Sequence, residues 1–208
     1  MFYLSLVLFT QLSVSIPQLN AAIIELYPFG CQPEKALCRH NEITGQISEL
    51  SGISINQRVL PYARAKKEFM DGMVDMLIIG KDQQLESKAL LIKPLYELEF
   101  VLLSYTEIDQ KQALKTMSIG IIGSSENALF AFAPFEPSSA VPFGDYSTAL
   151  KVLEQRKIDA VFLPIELAKE AFPKSIITRH SDLNDAPWKL DVTLYCARYC
   201  DQLLSTLD

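Results

Sequence analysis

Few side chains in this 208-residue chain could carry out covalent or metal chemistry. His40 stands beside Arg39 and Asn41 in a stretch of helical spacing, and His180 lies in the polar stretch RHSDLNDAP, so both histidines are expected at the surface. Four cysteines, Cys31, Cys38, Cys196 and Cys200, are separated within each pair by gaps that match no recurring zinc spacing. No catalytic signature surrounds any of them. In an oxidising compartment an even number of cysteines forms bridges, which consumes the thiolates that nucleophilic chemistry needs. The four allow three pairings, and spacing does not choose among them. If a helix begins near Pro33 and carries Cys38 inside it, Cys31 and Cys38 stand about two turns apart, too far to bond. A bond between the N-terminal and C-terminal regions then gains. No Walker A loop occurs, and GIIGSS lacks the G-x-G-x-x-G spacing of a dinucleotide site. The chain therefore reads as a non-enzyme with neither cofactor nor metal.

Other residues suit recognition better than catalysis. Tyr27 and Phe29 follow an apolar run and could stack on a ligand or cover a cation, or simply close the core. Gly123, Ser124 and Ser125 stand between a strand-like run and a helix-like one. Free amides and hydroxyls there can hold an anion, and the same serines can act as plain N-caps. Arg64 falls in the first turn of a short helix, where a cation opposes the helix dipole. An anionic ligand or an acid across a cleft would offset that cost; the alternative is a solvated surface arginine.

The elements that position these residues alternate. AIIEL (22–26), SINQRVL (54–60) and VDMLII (74–79) read as strands, with helices from Pro33 to about Leu50 and from Pro61 to about Met70. The Thr44–Gly45 pair is a weak point at which the first helix could instead begin. LLIKPLYELEFVLLSY (90–105) is extended throughout. The alternation then restarts with MSIGII (117–122), a helix through Phe132, a short strand near Val141, a helix over Tyr146–Gln155, IDAVFLP (158–164) and a helix from Glu166. SIIT (175–178), KLDVTLYCA (189–197) and an amphipathic Cys200–Leu207 complete the chain. Two α/β halves joined by extended segments predict a cleft at the carboxyl ends of their strands. Trp188 suits the core or the hinge side of that cleft.

Composition agrees with a globular protein: 49% hydrophobic, 21% charged and a net charge of −6, with no basic stripe for nucleic acid. Residues 1–21 carry no charge and contain a short apolar run from Leu4 to Phe9, with small residues following at Ser13, Ser15 and Ala21. This reads as a secretory signal peptide, although no Lys or Arg precedes the run; the alternative is a buried N-terminal strand.

Several stretches taken in order resemble the bacterial extracellular solute-binding proteins of family 3, the polar amino-acid type. They are IIELYPFG (23–30), ELSGISI (49–55), LPYARAKKEFMDGMVDMLIIG (60–80), KPLYELEFVLLS (93–104), SIGIIGSSEN (118–127) and YSTALKVLEQRKIDAVFLP (146–164). The resemblance implies an α/β, two-lobed periplasmic binding protein type 2 fold with two crossing hinge strands. Lobe 1 would span 22–98 plus 190–208, and lobe 2 would span 103–186. It also implies a monomer that closes on a small-molecule solute in the periplasm and is read by an ABC transporter membrane component or a sensor. The ligand site would comprise Tyr27, Phe29, Arg64, Gly80, Lys81, Asp82, Gly123, Ser124, Ser125 and Glu166. The family pattern breaks at two anchors. The arginine that forks onto a ligand carboxylate falls on Leu85, and the acid that meets an α-amino group falls on Pro164, with Glu166 two residues later. The expected solute is therefore small and polar or anionic rather than a standard amino acid. The alternative is a degenerate sensor or interaction domain.

Overall fold

The computed structural model describes residues 18–32, 38–123, 133–170, 174–198 and 200–207. Its strands are β1 (Gln18–Ile24), β2 (Ser54–Leu60), β3 (Met76–Gly80), β4 (Leu90–Ser104), β5 (Ile119–Ile122), β6 (Ala140–Phe143), β7 (Ala160–Pro164), β8 (Ile176–Thr178) and β9 (Lys189–Cys196). Helices α1 (Arg39–Ser51), α2 (Tyr62–Met70), α3 (Gln83–Glu86), α4 (Tyr146–Glu154), α5 (Ile165–Glu170) and α6 (Cys200–Leu207) run between and after them.

The two halves use the same local logic. Short runs of Ile, Val, Leu and Ala pair in parallel, with α1, α2 and α4 returning the chain from β1, β2 and β6 to the same end of the sheet. In the first half β1 lies between β2 and β3, and in the second β5 lies between β6 and β7. Two antiparallel strands stitch the halves together. The first part of β4 pairs with β9, which also pairs with β3; from Phe100 to Ser104, β4 instead pairs with β7, and over Leu102–Ser104 it lies between β7 and β8. At the crossing the Phe100 amide donates to the Trp188 carbonyl at 2.7 Å. Fully buried side chains such as Leu77, Leu102, Val161 and Tyr195 show that both sheets are covered. Trp188 is in that core, 1% exposed, and its indole N–H donates to Asp185 at 3.0 Å.

Three expectations about the first lobe change. Strand β1 starts at Gln18, four residues before the apolar run read as a strand, with Leu19 and Ala21 buried and Gln18–Ile24 in register against Ser54–Leu60. Residues 1–17 lie outside the described residues. Helix α1 starts at Arg39 and runs through Thr44–Gly45, because Cys38 is still extended (φ −110°, ψ 150°). No side chain caps it; the Arg39 and His40 amides donate to the carbonyls of Pro28 and Phe29. Cys31 and Cys38 thus both lie outside helix and strand, with Cα atoms 5.8 Å apart, and they bond to each other. The second bridge, Cys196–Cys200, joins the end of β9 to the start of α6, so the cysteines pair within each terminal region rather than between them.

Candidate functional site

The carboxyl ends of β1, β3, β5 and β7 converge where the two sheets meet. Ile24, Gly80, Ile122 and Pro164 end these strands, and all four line a partly open void of about 70 Å³ between the lobes. Leu98 and Phe100 of β4, with Leu190 and Val192 of β9, form its hinge-side wall, and Leu26, Phe29, His40, Tyr62 and Tyr146 contribute to its lining. Gly80 is closely approached there: a Cβ at that position would stand 2.4 Å from Leu190 Cδ2, so the Leu190 side chain would have to move. A second, more open groove of about 660 Å³ lies outside this void, lined by Glu25, Tyr27, Pro61 and the Gly144–Ser147 turn. Leu26 and Tyr146 line both spaces and so partition them.

One side of the void is a cluster of rings. Phe29 stacks on Tyr96 at 6.4 Å between centroids, and the His40 ring lies 6.1 Å from Phe29 and 6.0 Å from Tyr96. His40 Nε2 and the Tyr96 hydroxyl are hydrogen-bonded at 2.5 Å. The Arg39 guanidinium lies over the Tyr96 ring, 3.6 Å from its centroid. His40 is 4% exposed, not at the surface, and its Nδ1 is buried without a hydrogen-bond partner. Burial, helped by the charge of Arg39, pushes its pKa down to about 3, so the ring is neutral at physiological pH. The Tyr96 phenol is held above the usual range by burial, with Arg39 opposing and the Glu166 carboxylate adding to the rise. Burial also raises Tyr62, with the Asp82 charge contributing, and raises Tyr146, with Tyr62 contributing. Tyr62 and Tyr146 come from opposite lobes and meet at the void.

The structure divides the expected site residues. Phe29 and Gly80 line the void. Tyr27 is 55% exposed and belongs to the outer groove. Arg64 points outward and pairs at 2.8 Å with Glu68, one turn along its own helix, so the offset to the helix dipole is local. Lys81 is exposed and pairs with Glu86 at 3.7 Å. Asp82 is buried but committed: it caps α3 by accepting from the Gln84 amide and binds Lys66 at 2.6 Å. Gly123 has φ +94° and donates its amide to the Phe143 carbonyl. Ser124 and Ser125 lie outside the described residues. Glu166 is half-buried near Tyr96, and its Oε2 has no hydrogen-bond partner. Leu85 is fully buried, so the site of the family's arginine is filled by core.

His40, Tyr96, Tyr62 and Tyr146 are the side chains that sequence reasoning missed. Two patterns carried the signal. His40, Thr44 and Ile47 share one face of α1, and Tyr96, Leu98 and Phe100 alternate along one face of β4. Among the described residues no group of His, Cys, Asp and Glu could hold a metal, and no helix is long and apolar enough to cross a membrane.

No protein-family profile matches the chain, and no curated sequence does. Solved structures do. The arginine-, lysine-, histidine-binding protein ArtJ of Geobacillus stearothermophilus superposes with a TM-score of 0.74 at 14% identity, covering 93% of this chain and 88% of ArtJ. The amino acid ABC transporter substrate-binding protein AbpA of Streptococcus pneumoniae, bound to L-arginine, gives 0.74 at 16% identity over 91% and 87%. The VFT2 domain of Bordetella pertussis BvgS gives 0.71 at 15% over 92% and 85%. The fold is that of the two-lobed periplasmic binding proteins. The resemblance read from the sequence holds at this level, including the two crossing hinge strands. In this binding-protein fold the void stands at the carboxyl ends of strands from both halves, where α/β sheets receive ligands.

Proposed function

We propose that this chain is a non-enzymatic solute-binding protein that works outside the cytoplasm as a monomer, its lobes clasping a small molecule in the interlobe void. Lobe 1 comprises 18–98 and 190–208, lobe 2 comprises 103–186, and residues 1–17 are its export leader. The observation that carries the reading is the void itself, walled by the carboxyl ends of β1 and β3 on one side and β5 and β7 on the other. ArtJ and AbpA, which share the fold, are amino-acid binders by name, and this supports solute capture as the role. Closure shifts an equilibrium by the ligand's differential affinity, and an ABC-type transporter or a sensor reads the closed state.

The charge pattern of the site redirects the expected solute. The described lining carries no charged side chain, while Arg64, Lys81 and Asp82 are each paired with a neighbouring charge. An anionic solute thus lacks an anchor among the described residues. Native mass spectrometry of the freshly purified chain, followed by a thermal-shift screen, tests the proposal. A ligand at about a hundred times its Kd contributes about 2.7 kcal/mol, which raises Tm by about 5–10 °C for a chain of this size. A second reading, a ligand-free sensor or interaction domain, is favoured by the small void. It predicts no carried-over ligand and no Tm response to any compound.

A further inference from the structure

The residue pattern leaves two places where an export leader could end, and the first sheet separates them. A leader peptidase recognises small side chains one and three residues before the bond it cuts. Ser13 and Ser15 are the only small residues with that spacing before Gln18, and Ala21 and Ala22 supply small residues further on. Leader removal accompanies export, before the chain folds, so burial in the folded protein protects neither bond. What distinguishes them is the product each cut leaves.

A cut after Ala21 would take four rungs from β1, since Gln18, Leu19, Asn20 and Ala21 pair with Ser54, Ile55, Asn56 and Gln57. Strand β1 lies between β2 and β3, so β2, at the edge of the sheet, would keep only the rungs from Ala22 to Ile24. Leu19 and Ala21 belong to the main hydrophobic core, and their removal would leave a cavity there. The polar groups of this stretch are equally committed. The Asn20 amide donates to the Asp75 carboxylate at 2.8 Å, and the Asn20 carbonyl accepts from the Asp75 amide at 2.8 Å. The side-chain amide of Asn56 donates to Asn20 Oδ1 at 3.1 Å. Asp75 is buried and also pairs with Arg198, beyond β9. Without Asn20, that carboxylate would lose a donor while staying desolvated. A cut after Ser15 keeps every rung of β1, with Ile16 and Pro17 ahead of the strand.

We infer that the leader ends at Ser15 and that the mature chain begins at Ile16. The step is hydrolysis of the Ser15–Ile16 peptide bond by a membrane-bound leader peptidase of the exporting cell. The hydroxyl of water joins the Ser15 carbonyl carbon, and its remaining proton goes to the nitrogen that becomes the α-amino group of Ile16. Given the export reading above, on which this rests, the leader narrows from residues 1–17 to 1–15.

The full chain, with its own N-terminus, is expressed in a bacterial host, and osmotic-shock and cytoplasmic fractions are compared by N-terminal sequencing and intact mass. The expected product outside the cytoplasm begins at Ile16. Ser15→Leu places a bulky side chain at the scissile bond and should abolish the cut; mass measured on denatured extract reads this without requiring a folded variant. A start at Ala22, at Ile23 or at any residue other than Ile16 overturns the assignment, as does a cut that survives Ser15→Leu. An uncut chain outside the cytoplasm overturns it and leaves the solute-binding reading standing. A chain confined to the cytoplasm overturns both.

Discussion

Removing the Cys31–Cys38 bridge asks whether the turn after β1 and the start of α1 behave as one unit. That turn carries Phe29, and α1 carries His40, so their relative position sets one wall of the void. The bridge closes a loop with a sequence separation of 7. Loop-closure entropy for that length corresponds to about 2.4 kcal/mol at 25 °C. For a chain of this size the loss lowers Tm by about 5–10 °C. Breaking Cys196–Cys200, with a separation of 4, costs less, about 1.9 kcal/mol by the same relation. Cys31→Ala/Cys38→Ala and Cys196→Ala/Cys200→Ala should therefore melt below wild type in that order, measured by calorimetry at neutral pH. The first variant has a local signature too. The amides of Arg39 and His40 depend on carbonyls of the bridged turn, so their hydrogen exchange should accelerate while that of β5 and β7 stays slow. A Tm within about 1 °C of wild type, together with unchanged exchange at Arg39 and His40, would refute the idea that the bridge organises this wall.

Other outcomes follow from the same geometry. Gly80→Ala places a methyl group against Leu190, which must retreat towards the void, so solute binding should be lost for about 1–3 kcal/mol of stability. Truncating Leu190 to Ala in the same chain should restore most of that stability, as a double-mutant cycle would show. The depressed pKa of His40 sets a pH dependence with a definite sign. Below pH 6.5 the unfolded chain takes up a proton that the folded chain refuses until about pH 3, so stability falls as pH falls through that window. Between pH 6.5 and 5 the Tm of wild type should drop more than that of His40→Gln; equal slopes in thermal melts would contradict it. Arg64→Ala should leave solute binding intact and cost about 0–1 kcal/mol, because Arg64 itself is largely exposed and the buried Glu68 keeps Arg58 at 2.8 Å. Loss of binding in isothermal titration would return Arg64 to the site.

Much of the architecture was legible because strands and helices here follow local pattern. SINQRVL is β2 residue for residue, and Cys200–Leu207 is α6 as read. LLIKPLYELEFVLLSY became the strand that joins the two sheets. The start of α1 was misplaced because Pro33 and Glu34 are good helix-opening residues, whereas the observed start is made by carbonyls of the Pro28–Phe29 turn. That is a contact between chain segments, invisible to propensity. Arg64 pairs with Glu68, four residues on, whereas which charges face the cleft depends on how α2 sits against β1 and β3, which the local sequence does not state.

The order of hydrophobic runs, read alone, determined two α/β halves, their connection by a long extended segment and the place where a cleft must form. The resemblance to the binding-protein family further implied that its two charged anchors fall on Leu85 and Pro164, which are what they are whatever the packing. Only the tertiary structure decided the pairing of the cysteines, the burial of His40 and the apolar character of the void. Those depend on side chains brought together from α1, β4, β9 and the second half of the chain. A residue's type states what it can bond, but burial and the company it keeps determine which bonds are left open.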